Sequence, residues 1–190
     1  MIHQISYLLR KHFYSILLLT SIFCALILLY IKFYTAISAI PDVSGSERST
    51  TIPVALVTAG ISLFTDPEES PFFITQYAPL YLNIIGLSCK WLGFDPTDAY
   101  KIQLASRVGS AIFIFGALIL NLVTAIRVLR ITWQEAAIAI IFLFGLLQHW
   151  HLTNSRVDSL LFLLTSAYLY FILVGIRTNT AWNKFYFLAA

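Results

Sequence analysis

Along the chain, long apolar runs alternate with short polar breaks. The first run, Phe13 to Ile31, follows Arg10, Lys11 and His12. A helix takes about 20 apolar residues to cross the hydrocarbon core of a bilayer, and this run has that length. It is longer than the ~7–15-residue core of a signal peptide and further runs follow it, so it reads as an uncleaved anchor despite the small residues at Ala36-Ile37-Ser38. A second charge-free run, 108–126, ends a longer helical pattern. That pattern opens with Asp95 as N-cap, Pro96 at the first helical position and Asp98 in the first turn, and it continues to Arg130. This predicts one long helix that begins outside the bilayer and enters it near Arg107. The third span is 136–150. The fourth is 159–176, opened by Ser155 and Asp158 at capping-box spacing. A fifth starts at 182 and reaches residue 190. A helix that stopped inside hydrocarbon would leave backbone groups unsatisfied, so the sequence reads as the N-terminal portion of a longer chain.

Between the first two spans lies a loop, 38–105, with apolar runs of its own. Pro53 to Phe64 and Leu80 to Phe94 are too short to cross and read as interfacial or re-entrant helices. The turn-rich acidic stretch Thr65-Asp66-Pro67-Glu68-Glu69-Ser70-Pro71 separates them. The expected fold is therefore all-α integral membrane. It has four complete transmembrane helices, the start of a fifth, and a long outer loop carrying two interfacial helices.

Composition narrows the class. Hydrophobic residues make up 59% of the 190 and charged residues 11%, against a usual ~45–50% and ~25% in soluble domains. That excludes a soluble globular protein, a disordered chain and a nucleic-acid module. The net charge of +3 matters less than where the charges sit. Arg10 and Lys11, Arg127 and Arg130, and Arg177 and Lys184 all fall on one side of the predicted spans, which makes that side, with residues 1–12, cytoplasmic. Seven of the nine acids fall in the outer loop: Asp42, Glu47, Asp66, Glu68, Glu69, Asp95 and Asp98. Cys24 and Cys89 read as apolar packing residues, and no spacing resembles a metal site.

Four features in order carry a resemblance. An acid follows the first span, and Gly60-Ile61-Ser62-Leu63-Phe64 follows it. Next comes Tyr77-Ala78-Pro79-Leu80-Tyr81. The second span opens with Ser106-Arg107-Val108-Gly109-Ser110, and the fourth with Ser155-Arg156-Val157-Asp158-Ser159. In these the chain resembles the N-terminal part of polytopic membrane glycosyltransferases of the GT-C superfamily, the bacterial branch related to protein mannosyltransferases and lipid A aminoarabinose transferases. The resemblance implies an inner-membrane enzyme with its active site on the extracytoplasmic side. It implies a polyprenyl-phosphate-linked sugar as donor, a lipid, glycan or protein as acceptor, and a loop acid as base. Glu47 stands closest to that acid's position, and Asp42 is the second choice.

The chemistry needs a carboxylate to take the acceptor's proton and a cation to stabilise the departing phosphate. Glu47 is the expected base; its ordinary reading is a solvated loop acid beside Arg48. Arg107 and Arg156 sit at outer helix ends, where an arginine either holds a phosphate bidentately or snorkels to lipid headgroups. Asp158 either caps its own helix or pairs with Arg156. Tyr77, Pro79 and Tyr81 are expected to shape the start of the second interfacial helix. His149 and His151, two apart, point in different directions on a helix and would share a metal only where the helix has ended; they are read as interfacial groups, with acceptor or metal binding as the other reading. No motif identifies a cofactor; a divalent cation is allowed but has no motif behind it. The expected function is transfer of a sugar from a polyprenyl-phosphate donor. Its rivals are a transporter-like protein, which would carry ionisable groups inside the spans, and a non-catalytic membrane subunit.

Overall fold

The computed structural model describes residues 2–38, 47–63, 79–148 and 156–178. Every regular element among them is helical: α1 (Ile2–Ala36), α2 (Arg48–Thr58), α3 (Pro79–Trp91), α4 (Ala99–Val123), α5 (Trp133–Gln148) and α6 (Asp158–Thr178). A π-helical turn, Thr124–Val128, prolongs α4. Three stretches are long and apolar enough to cross a membrane: His12–Ile31, Ala99–Val128 and Asp158–Arg177. The first is apolar on every side yet exposed, with Phe13, Ile16, Leu19, Phe23, Leu26 and Tyr30 all facing outward. Such a surface is stable with lipid as its solvent and not with water.

Of the expected third span, 136–150, the described residues hold only the part up to Gln148, fewer helical residues than a crossing takes. That span corresponds to α5, which has 16 residues and starts at Trp133 rather than at 136. Thr132 moves the start back. Its carbonyl accepts the Ala136 N–H at 3.0 Å, and its hydroxyl bonds Glu135 at 2.7 Å, the side-chain arrangement of a Thr-x-x-Glu box. Three helices of spanning length are thus described where four were expected. The expected fifth start, 182–190, lies outside the described residues.

The chain divides into two compact units. One comprises residues 1–31, 115–149 and 163–190. Within it Phe115 meets Phe144 with ring centroids 6.0 Å apart. The Asn121 amide donates to Ser166 Oγ at 2.8 Å, a hydrogen bond between apolar helices. Arg177 donates to the Arg127 and Val128 carbonyls, which the π turn leaves without their usual helical partners.

The other unit comprises residues 32–114 and 150–162. Its core is Val54, Val57, Leu63, Tyr81, Leu82, Ile85, Cys89, Ile102 and Leu160. Both apolar runs of the loop are helices here, and they pack on each other. A β-carbon added at Gly86 of α3 would lie 2.5 Å from Val57 Cβ of α2, so the absent side chain sets the approach. Helix α2 ends earlier than the apolar run because Gly60 takes φ +81°, and the Ile61 N–H then closes on the Leu56 carbonyl at 2.9 Å. The start of α4 also departs from expectation. Asp98, not Asp95, is the cap: its carbonyl accepts the Ile102 N–H and its Oδ1 the Lys101 N–H. Asp95 instead closes a turn on Thr97, bonding both its N–H and its hydroxyl.

Candidate functional site

Besides Lys101 near its start and Asn121 near its end, helix α4 carries a polar stripe at Gln103, Ser106, Arg107 and Ser110, residues three and four apart that share one face. All four are buried. The second unit builds two polar clusters on this stripe.

The first is centred on an ion pair between residues sixty positions apart. Arg107 donates from Nε to Glu47 Oε1 at 2.8 Å and from Nη2 to Glu47 Oε2 at 2.8 Å, a bidentate fork. Gln103 adds a third donor to Oε2 at 2.9 Å. On its other edge Arg107 donates from Nη1 to the Ala36 carbonyl at 2.9 Å and to the Ser38 carbonyl at 2.7 Å, at the end of α1 and just past it. Glu47 is 0% exposed and Arg107 5%. Nearby, the Tyr100 hydroxyl donates to the Ile37 carbonyl, fastening the start of α4 to the same segment.

Glu47 reaches this position from the N-cap of α2. Its carbonyl accepts the Thr50 and Thr51 N–H groups at 3.2 and 2.8 Å, while its side chain takes no part in the cap. The backbone therefore starts the helix and the carboxylate is left for Arg107.

The second cluster is neutral. The Tyr81 hydroxyl donates to the Ser106 carbonyl at 2.9 Å and accepts from Ser110 Oγ at 2.8 Å. Ser110 Oγ in turn accepts the Arg156 N–H at 3.0 Å. Burial holds the Tyr81 hydroxyl well above the ordinary phenol range; the Ser110 hydrogen bond opposes that shift and the Glu47 charge adds to it. Cys89, also buried, is pushed upward for the same reason, against a hydrogen bond from Thr58. Between α3 and α4 lies a half-open, mainly apolar groove of about 630 Å³, lined by Ile85, Cys89, Leu104, Val108, Ile112 and Phe113.

Of the residues picked out in the sequence, Glu47, Tyr81, Arg107 and the backbone of Arg156 thus meet in one unit through buried hydrogen bonds. Pro79 opens α3, where its missing N–H costs no helical bond, and is half-buried. Asp158 opens α6 and is exposed. The Arg156 carbonyl takes both the Ser159 N–H and the Ser159 hydroxyl there. Asp42, Tyr77, His149, His151 and the Ser155 half of the capping box lie outside the described residues. Among the described residues no group of three or more His, Cys, Asp or Glu side chains could hold a metal. Gln103 and Ser110 were not singled out from the sequence, although their spacing from Arg107 and Ser106 in an apolar helix marks them.

Compared with known proteins, the chain matches no family model, no characterised protein and no solved structure.

Proposed function

We propose that the chain belongs to a bacterial inner-membrane glycosyltransferase that moves a sugar from a polyprenyl-phosphate donor to an acceptor hydroxyl on the extracytoplasmic side. One observation carries this reading. The segments in which the chain resembles GT-C enzymes lie far apart in sequence, yet they converge on one polar face of α4 in two hydrogen-bonded groups: Glu47 on Arg107, and Tyr81 on Ser106 and Ser110 with Ser110 on the Arg156 backbone. Gly60 and Leu63 of the remaining segment serve the same unit, one as a helix stop and the other in its core.

In the proposed reaction the acceptor oxygen bonds to the anomeric carbon as that carbon's bond to the phosphate oxygen breaks. The hydroxyl proton passes to Glu47. The polyprenyl phosphate leaves with one more negative charge than it had in the donor, and Arg107, with Arg156 as a second cation, stabilises that charge. The test is sugar transfer in sealed membrane vesicles of known sidedness, supplied with radiolabelled polyprenyl-phosphate sugars. Label should move to an acceptor only where the loop side faces the donor. No transfer from any donor on either side would refute the reading.

A further inference from the structure

The two edges of the Arg107 guanidinium do different work. Nη1 is fixed to the Ala36 and Ser38 carbonyls, so the group keeps its place whatever becomes of Glu47. Nε and Nη2, joined by the Gln103 amide, converge on a single carboxylate at 2.8 to 2.9 Å. Three fixed N–H donors around two oxygens make a cradle for an oxyanion, and a phosphate fits the arginine fork as well as a carboxylate does.

Stability alone is a weak reason for such a pair. Taking both charges out of water offsets most of their attraction, and an apolar pair of the same volume generally serves a fold as well. Moreover, the Glu47 side chain is not needed where it starts: the first turn of α2 closes on the Glu47 carbonyl, so the carboxylate can rotate away without undoing the helix.

We infer that Glu47 is a built-in occupant of an oxyanion site: its carboxylate fills, on Arg107 and Gln103, the place that the phosphate of a polyprenyl-phosphate ligand takes on binding. The inference rests on the proposed function for the identity of the anion and on geometry for the exchange. It also joins the two roles of the site. While Glu47 lies in the fork its lone pairs face Arg107 and Gln103. When phosphate takes the fork, the carboxylate turns toward a hydroxyl proton. The base is therefore uncovered by the donor itself.

The test is binding of farnesyl phosphate to the purified protein in nanodiscs, with farnesol and inorganic phosphate as companion probes. A self-occupied site weakens apparent affinity by the fraction of protein that is open, so Glu47→Gln should bind farnesyl phosphate about tenfold tighter or more. Arg107→Gln should lose that binding, and farnesol should gain nothing from Glu47→Gln. The same gain for inorganic phosphate would assign the site to the bare anion; a gain confined to farnesyl phosphate would assign it to an anchored phosphate. Binding to wild type that is unchanged or weakened in Glu47→Gln overturns the exchange and leaves the transferase reading standing. Farnesyl phosphate binding to neither protein overturns both. A second measurement needs no variant. Modification of Glu47 by dicyclohexylcarbodiimide, read by peptide mass, should rise severalfold when farnesyl phosphate is added to wild type. Unchanged or reduced labelling contradicts the exchange.

Discussion

The hydroxyls of Tyr81 on α3 and Ser110 on α4 lie 2.8 Å apart in the interior of the second unit. The contact couples the loop helices to the chain entering α6, because Ser110 also accepts the Arg156 N–H. Tyr81→Phe removes two buried hydrogen bonds while Ser110 keeps those to the Arg156 N–H and carbonyl, so it should cost about 1 kcal/mol in thermal unfolding. With Ser110→Ala added, the loss should be smaller than the sum of the two single losses, since both remove one interaction. The raised Tyr81 pKa sets the sign with pH. Its contribution is intact below the ordinary value of 10.0 and is lost as pH rises through the higher folded value. Phenylalanine should abolish that alkaline loss.

The Glu47–Arg107 pair should behave as buried charges do. Arg107→Leu strands a carboxylate with Gln103 as its remaining partner among the three donors and should destabilise the fold by about 3–5 kcal/mol. Joining Glu47→Leu to it should recover much of that loss. Measuring thermal unfolding of both singles and the double closes the cycle; additive losses would mean that the two residues do not interact.

Gly86→Ala places a methyl where Val57 already is, 2.5 Å from its β-carbon. Overpacking of this kind should cost about 1–3 kcal/mol, and in a Val57→Gly background, which lacks that β-carbon, Gly86→Ala should cost less. Thermal unfolding of the pair decides the matter. No rescue would mean that the α2–α3 approach is not limited by these two positions.

At the start of α4, Asp98→Ala should free the Lys101 amide to exchange faster with deuterium, whereas Asp95→Ala should leave it protected. The Asp98 pKa is lowered by its side-chain and backbone bonds to Lys101. Its contribution is therefore present above the ordinary aspartate value and fades as pH falls through the depressed folded value. Equal exchange in both variants would return the cap to Asp95.

Much of this architecture was legible in the sequence because bilayer thickness and helical pitch leave few alternatives for an apolar run. Phe13 to Ile31 lies within α1, the loop runs became α2 and α3, and the charge-free 108–126 belongs to a helix that starts well before it. The ends were harder. Asp95 and Asp98 are both chemically fit to cap α4, and only the turn on Thr97 decides between them. At α5 the box formed by Thr132 and Glu135 went unread. Glu47 and Arg107 were each picked out by residue type and by resemblance, but in separate roles. That they hold each other could not be read, because helical periodicity reaches only three or four residues along a chain while this contact spans sixty. The stripe of Gln103, Ser106, Arg107 and Ser110 was the available signal: polar side chains on one face of an apolar helix need partners inside the protein.

The most direct test of the account is sugar transfer from a polyprenyl-phosphate donor by wild type, Glu47→Gln and Glu47→Asp, each shown to be inserted and folded. A proton-accepting Glu47 predicts that glutamine lowers turnover by at least about a hundredfold, within the range for loss of a general base. It also predicts that aspartate, with its carboxylate drawn back, retains a measurable part of the rate. Turnover in folded Glu47→Gln equal to that of wild type would contradict the account and leave the pair with Arg107 as a clasp alone.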